Sequence, residues 1–244
     1  LDETKEVLSL SPRYFLTPHY WGPLAIMMGL VMVLLAFQND LGTAAIFFGT
    51  FLVMLYVSTQ RISYVITGTA VFLALAALGY GFFPHVRTRV AVWINPWPTI
   101  DTTGYQITQA LFALGSGGLF GSGLGNGLPD RIPAVATDFI FAAVGEELGL
   151  AGSLAIIFLY TALSLRGYRA ALNADTSFGL LLATGLTTIL ALQATVIIGG
   201  VLKLLPLTGI TLPFVSYGGS SLLVNYIILG LLNAVNRGSS YGPA

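Results

Sequence analysis

The chain has 244 residues, of which 55% are hydrophobic and only 8% are charged. A soluble domain carries about a quarter of its residues charged, so this composition indicates a protein that folds in a lipid bilayer. Basic and acidic residues both number 10, which argues against a nucleic-acid partner, and the absence of cysteine excludes disulfides and thiol nucleophiles.

The first 23 residues mix charges with Leu, Phe, Tyr and Trp. Such a mixture is typical either of a segment lying on a membrane surface or of a disordered tail. Position 1 is Leu rather than Met, and nothing near it resembles a signal peptide. We therefore expect the chain to begin in the middle of a longer protein.

Six apolar stretches are long enough to cross about 30 Å of hydrocarbon. Together they predict an all-α, polytopic helical membrane protein that forms a single membrane domain over residues 1–244. Only Asn39 and Asp40 separate the first two stretches, and Asp40 is predicted to be the N-cap of the second helix. The predicted spans are roughly 22–38, 41–58, 63–83, 138–164, 177–202 and 211–234.

Basic residues in the short connections predict the orientation, because such residues concentrate on the cytoplasmic side. The opposite, outer side then receives the long loop 84–137 and the short connection around Lys203. The residues that fall on the predicted cytoplasmic side are Lys5, Arg13, Arg61, Arg166, Arg169 and Arg237.

The outer loop 84–137 contains a short apolar segment that predicts a helix, with Gln106 and Gln109 three residues apart on one face. Seven glycines follow within residues 115–127, without the spacing of a phosphate-binding loop. We expect a short helix or a re-entrant segment here. Its glycines could serve either to line a wet cavity or to let helices pack closely.

Three carboxylates lie close together in a stretch that otherwise reads as the start of an apolar helix. Asp138 lies where this helix meets water, so its carboxylate could be stabilised by the helix dipole or could take part in catalysis. Glu146 and Glu147 would lie about 12–13 Å deeper, where an unpaired carboxylate is costly. We expect at least one of them to bond the backbone of a broken helix, near Gly199 or within 216–221.

Cations and a second helix break lie on the same predicted outer face. Arg87 and Arg89, at alternate positions just beyond a helix end, could anchor lipid headgroups or bind a phosphorylated substrate in a bidentate fork. Pro213 and the Gly218–Gly219 pair interrupt the last span, which could create a binding site or allow tight helix packing.

Five motifs, taken together and in order, resemble the shape, elongation, division and sporulation family of bacterial membrane proteins. That family has about ten spans, so the resemblance implies that the first four are missing here. It also implies a peptidoglycan glycosyltransferase that polymerises lipid II at the outer face of the cytoplasmic membrane, for elongation, division or sporulation. The expected partners are lipid II, a class B penicillin-binding protein and membrane lipids. The motifs are "QNDLGT" (38–43), "RTRV" (87–90), "GYQITQALFALGSGGLFGSGLG" (104–125), "TDFIFAAVGEELG" (137–149) and "LPLTGITLPFVSYGGSSLL" (205–223).

The resemblance, combined with the chemistry of glycosyl transfer, also predicts residue roles. The family's essential aspartate matches Asp138, which would be the general base of a single inverting displacement, and Arg87, Arg89 and Lys203 would hold the pyrophosphate. Asp40, Glu146 and Glu147 are expected to be structural. A divalent cation such as Mg²⁺ or Mn²⁺ at the pyrophosphate stays an option, with no residue assigned as its ligand. The other expected substrate-binding residues are Gln106, Gln109, Thr137, Ser216, Tyr217, Gly218, Gly219 and Ser220.

Two other functions fit the same sequence features. A transporter that flips lipid II would also need broken helices and a polar interior, but it would need access from both sides of the membrane. A non-catalytic scaffold for the penicillin-binding protein would make the polar outer residues dispensable. An outer-face base at Asp138 is what favours polymerisation over both alternatives.

Overall fold

The chain is described by a computed structural model that covers residues 18–38 and 40–238. The sequence predictions for residues 1–17, including Lys5 and Arg13, and for Asn39 fall outside this part. The described residues contain helices and no strand, which confirms the all-α fold class. The α-helices are α1 Pro18–Phe37, α2 Leu41–Thr59, α3 Ile62–Phe82, α4 Pro84–Ile94, α5 Tyr105–Gly117, α6 Ile140–Leu172, α7 Ser177–Val201 and α8 Gly219–Gly238.

Five of these helices are long and apolar enough to cross a membrane, namely α2, α3, α6, α7 and α8. The chain is therefore an integral membrane protein. Helix α1 coincides with the first predicted span, and its residues Ile26–Leu35 form a shorter apolar helix. A sixth membrane crossing at α1 stays a prediction.

Helix α2 begins with a side-chain cap. Asp40 is its N-cap residue, and its Oδ1 accepts a hydrogen bond from the Thr43 amide at 3.0 Å. This contact satisfies one of the amides that the first helical turn leaves without a partner, which is the role that the sequence predicts for Asp40.

The chain divides into two compact units. The first comprises the residues up to Leu78, residues 166–192 and the residues from Ile228 on, and the second comprises residues 79–165 and 193–227. Within the first unit, glycines allow close helix packing: Gly49 lies against Leu192, and Gly167 lies against the side chain of Thr187. The second unit holds every predicted site residue except Asp40.

The loop 84–137 is more helical than the sequence predicts. It contains α4 and α5, with short 3₁₀ turns at Trp97–Thr99 and Pro129–Arg131. Helix α4 starts at Pro84, whose missing amide costs nothing at the first helical position. Arg87 and Arg89 follow the end of α3, as the sequence predicts, but both lie inside α4, a helix that the sequence did not predict.

The last span starts later than predicted. Helix α8 begins at Gly219 rather than near residue 211, and residues 209–218 are irregular. Pro213 cannot donate to a helical carbonyl, and Gly209 and Phe214 have φ values of 75° and 65°, which end regular helix geometry.

Helix α6 is broken at Gly149, whose φ of 67° and ψ of −164° are not helical. The glycine-rich segment, residues 115–127, fills the break. The Leu150 amide donates to the Gly118 carbonyl at 2.9 Å, and the Gly123 amide donates to the Glu147 carbonyl at 3.0 Å. A Cβ atom on Gly121 would overlap that same Glu147 carbonyl. Of the two roles that the sequence left open for these glycines, the structure shows close packing.

Candidate active site

Asp138 is held by a tight backbone turn at the start of α6. Ala134, at φ 57°, reverses the chain, and its carbonyl accepts the Asp138 amide at 3.0 Å. The next residue, Phe139, is fully buried and begins the apolar face of α6. The turn and the buried phenylalanine fix the carboxylate at the boundary between loop and helix.

The irregular segment 209–218 braces this turn from the other side. The buried hydroxyl of Ser216 donates to the Thr137 carbonyl and accepts the Leu212 amide at 2.8 Å. The Tyr217 amide donates to the Ala136 carbonyl at 2.7 Å. Ser216 was expected to bind substrate, but its hydroxyl is fully occupied by backbone, so it positions the residue next to Asp138 instead.

The carboxylate of Asp138 is half-buried and is not used as a helix cap. Within the described residues, no amide of the first turn of α6 donates to it. Burial raises the pKa of Asp138 above its ordinary value, while the hydroxyl of Thr137 and the positive charge of Arg89 lower it in part. A carboxylate whose pKa is raised is a stronger base than an ordinary aspartate.

Asp138 faces a cavity of about 190 Å³. Gly209 lies directly opposite, where an added Cβ would stand 3.5 Å from the Asp138 Oδ2, so the glycine keeps this wall open. The remaining lining comes from α4, from α5 and from the turn after α7. The cavity is lined by Thr88, Arg89, Val92, Trp93, Thr103, Gln106, Ile107, Asp138, Gly200, Lys203, Leu205, Leu207 and Gly209.

Two cations share this cavity with Asp138. Arg89 donates to the carbonyls of Leu207 and Thr208 at 3.3 and 3.1 Å, and the Lys203 ammonium donates to the Ile94 carbonyl at 3.3 Å. Both are anchored by neutral backbone oxygens, which fix their positions and leave their charges in place. With one carboxylate against two cations, the lining carries a net positive charge.

Arg87 does not contribute to this cavity. Its Nε donates to the Tyr80 carbonyl at 2.8 Å and a terminal nitrogen donates to the Gly81 carbonyl, both at the C-terminal end of α3. Residues two apart on a helix point in nearly opposite directions, so α4 cannot aim Arg87 and Arg89 at one ligand. The predicted clamp of two arginines is therefore wrong, and Arg87 instead satisfies carbonyls that α3 leaves without partners.

The two glutamines of α5 also separate. Gln106 lines the cavity of Asp138, whereas Gln109 lines a second cavity. Both were expected to bind substrate, and only Gln106 lies at the cavity of Asp138.

The remaining residues of the 216–221 motif lie away from both cavities. Tyr217 is 77% exposed, and Gly219 and Ser220 form the exposed first turn of α8. Gly218 lies between them, at the end of the irregular segment. The expectation that Tyr217, Gly218, Gly219 and Ser220 bind substrate has no support in the described residues, because none of them lines the cavity of Asp138.

The two deep glutamates bond elsewhere than predicted. The Oε1 of Glu146 accepts the Leu128 amide at 3.0 Å, so this carboxylate holds the glycine-rich segment. The expected bonds to the region of Gly199 or to residues 216–221 are absent from the described residues. Glu147 contributes its backbone carbonyl, which accepts the Gly123 amide, rather than its side chain.

Trp93 lines the cavity of Asp138, and the sequence did not predict it as a site residue. It lies four residues after Arg89, on the same helical face, and its indole Nε1 donates to the Lys203 carbonyl at 3.1 Å. Recognising α4 as a helix would have revealed this face, since Thr88 and Val92 lie along it too.

The side chains do not fit a cation held by this chain alone. Among the cavity residues Asp138 is the single carboxylate, and no group of three His, Asp or Glu residues that could hold a metal occurs within residues 18–38 and 40–238. Divalent cations in proteins need several oxygen ligands.

Known proteins resemble this chain over most of its length. Peptidoglycan glycosyltransferase RodA from Mycobacterium tuberculosis is 51% identical over 205 residues, covering 84% of this chain and 44% of the relative. Stage V sporulation protein E from Bacillus subtilis is 42% identical over 212 residues, covering 84% of this chain and 56% of the relative. A probable peptidoglycan glycosyltransferase FtsW from Geobacter metallireducens is 39% identical, with 87% of this chain and 57% of the relative covered. The chain thus spans about half the length of the curated relatives it matches.

Solved structures share the fold. A chain from a peptidoglycan synthase complex, whose structure concerns the coordination of polymerization and crosslinking, matches with a TM-score of 0.75 at 27% identity, covering 96% of this chain and 66% of that one. A mutant of the rod shape determining protein RodA from Thermus thermophilus matches with a TM-score of 0.60 at 25% identity, covering 96% and 61%. The family model described as cell cycle protein, FtsW/RodA/SpoVE, matches residues 8–241. The resemblance seen in the motifs is confirmed, and the chain belongs to the FtsW/RodA/SpoVE family of cell cycle proteins.

Proposed function

We propose that this chain is the catalytic part of a peptidoglycan glycosyltransferase that uses lipid II, and that Asp138 is its general base. The observation that carries the proposal is the cavity itself, in which one half-buried carboxylate faces two anchored cations. Relatives named peptidoglycan glycosyltransferase or probable peptidoglycan glycosyltransferase, at 51% and 39% identity, support the reaction class.

The chemistry needs one base and one site for negative charge. The 4-hydroxyl oxygen of the acceptor sugar attacks the anomeric carbon of the donor, and its proton passes to the Asp138 carboxylate. The bond from that carbon to the pyrophosphate oxygen breaks, and the lipid pyrophosphate leaves as an anion. A single displacement inverts the anomeric configuration, so no covalent sugar–protein intermediate is needed.

The cavity suits both requirements. Burial raises the pKa of Asp138, which makes its carboxylate a better proton acceptor. Arg89 and Lys203, fixed by backbone carbonyls, offer positive charge that needs no rearrangement as the leaving group develops its own. Arginine also matches phosphate oxygens in a bidentate geometry.

The site is proposed to lie on the outer face of the cytoplasmic membrane, on the side opposite to the short basic connections. A class B penicillin-binding protein is the proposed partner, and a structural neighbour from a peptidoglycan synthase complex supports this pairing.

The test compares the native protein with Asp138→Asn, each purified as it occurs in the cell together with its penicillin-binding partner. Fluorescent lipid II is supplied, and glycan polymer is separated by electrophoresis. Asparagine keeps the size of the side chain but cannot take up a proton, so we expect polymer formation to fall by about 100-fold or more. Partner binding and membrane insertion should be retained.

Other results would point to the alternative functions. Near-normal polymer from Asp138→Asn would refute the base assignment. Transfer of lipid II between the leaflets of a vesicle without any polymer would favour a flippase. Polymer that depends only on the partner protein would favour a scaffold.

A further inference from the structure

A second polar cavity lies beside α5, one helical turn away from the cavity of Asp138. Its volume is about 220 Å³, far more than the 10–15 Å³ that one water molecule requires. Gln109 faces it, while Gln106, three residues earlier on α5, faces the first cavity. Three residues advance a helix by about 4.5 Å, so the two cavities are neighbours along one helix. The second cavity is lined by Gln109, Phe112, Ala113, Ser116, Leu128, Arg131, Ile132 and Glu146.

One of the two carboxylate oxygens of Glu146, in the wall of this cavity, has no hydrogen-bond partner among the described residues. Glu146 is 9% exposed, and its Oε1 accepts the Leu128 amide. Its Oε2 is buried and has no hydrogen-bond partner among the described residues. Buried polar atoms are nearly always paired, so this oxygen indicates a missing donor.

The charges of the lining indicate what kind of group fits. Glu146 would repel an anion, and Arg131 would repel a cation, so the pair carries no net charge. Gln109 adds an amide that both donates and accepts. This contrasts with the cavity of Asp138, where two cations against one carboxylate suit a phosphate. The second cavity suits a neutral group with many hydroxyl and amide functions.

An aromatic ring completes the lining. Phe112 is half exposed at the cavity, and Trp97 supports it with ring centroids 6.0 Å apart. Aromatic rings offer flat apolar surface, which matches the C–H face of a sugar ring while carboxylate, amide and guanidinium groups bond its hydroxyls.

We propose that this second cavity binds a sugar unit of the glycan strand that is not itself reacting, and so keeps the strand attached between additions. The proposal rests on the proposed function, because it assumes that the neighbouring cavity joins sugars. It assigns Gln109, Phe112 and Arg131 as strand-binding residues and Glu146 as the acceptor for a sugar hydroxyl or amide. A site of this kind controls how many sugars are added before the strand is released.

The test measures strand length at equal consumption of fluorescent lipid II for Gln109→Ala, Phe112→Ala and Arg131→Gln. Glu146 is left unchanged because it also holds the glycine-rich segment. Loss of one hydrogen bond, in Gln109→Ala or Arg131→Gln, weakens binding about fivefold, and Phe112→Ala removes the apolar face for the sugar ring. We therefore expect mean strand length to fall severalfold in each variant. The matched control is Phe120→Ala, an 84% exposed ring of the glycine-rich segment that lines neither cavity, and it should make strands of native length.

A binding measurement separates this proposal from the proposed function. Soluble glycan strands without lipid are titrated against the Asp138→Asn protein, with and without Gln109→Ala or Arg131→Gln. We expect weaker strand binding in the double variants. Native strand length in the single variants, together with native strand binding in the double variants, would overturn the strand-binding site, whatever the activity of Asp138→Asn. Polymer made by Asp138→Asn would overturn the catalytic assignment alone.

Discussion

Replacing Arg89 and Arg87 separately tests the geometry of the cavity of Asp138. Arg89 lines it, while Arg87 bonds carbonyls of Tyr80 and Gly81. A hydrogen bond to a charged group contributes about 1.5–3 kcal/mol. At about 1.36 kcal/mol per tenfold in rate, Arg89→Gln should lower kcat/KM for lipid II by about 10- to 150-fold.

Arg87→Gln should affect stability instead of turnover. Its guanidinium is exposed and lies at the C-terminal end of α3, where a cation contributes about 0.3–1 kcal/mol. We expect a small decrease in thermal stability and little change in kcat/KM. Arg89→Lys should fall between native and Arg89→Gln, because lysine keeps the charge but loses the bidentate fork.

The assay follows release of lipid pyrophosphate from lipid II by each variant, and a thermal melt in detergent reports folding. An equal fall in kcat/KM for Arg87→Gln and Arg89→Gln, with unchanged melting, would mean that the two arginines act as one clamp. That result would refute the inference drawn from the α4 helix.

Three further predictions follow from the site and its supports. Ser216→Ala should lower turnover and melting temperature, because the buried Leu212 amide loses its acceptor at a cost of about 1–3 kcal/mol. Ser220 is exposed, so Ser220→Ala should match the native protein in both assays. Burial raises the pKa of Asp138, and a general base must be deprotonated, so activity should fall with decreasing pH through a midpoint above the ordinary value of 3.8. Arg89→Gln removes a positive charge that lowers this pKa, so the midpoint of its residual activity should move upward. A downward shift would contradict the reasoning. Gly121→Ala should destabilise the protein more than Gly125→Ala in the same melting assay. Both glycines have positive φ, but only at Gly121 would the new Cβ overlap backbone atoms. Equal losses of stability would contradict the packing at the break in α6.

Long-range partners account for two of the sequence predictions that failed, those for Glu146 and Ser216. Glu146 was expected to bond near Gly199 or within 216–221, and it bonds the Leu128 amide instead. Periodicity could place the glutamate in a helix, but it could not say which loop would dock against that helix. Ser216 failed for the same reason, because its partner Thr137 lies 79 residues away in the chain.

The sequence by itself determined that the protein folds in a lipid bilayer, that it is helical and where most of its helices lie. Apolar stretches of this length have one stable arrangement in a bilayer, which is the helix. Its local signals also determined the Asp40 cap, and its motifs identified the family and predicted Asp138 as the base. Only the tertiary structure decided that Glu146 bonds the Leu128 amide, that the glycines serve close packing, and that α5 separates two cavities. These features depend on which backbone groups meet across distant parts of the chain, and no local pattern of residues encodes that meeting.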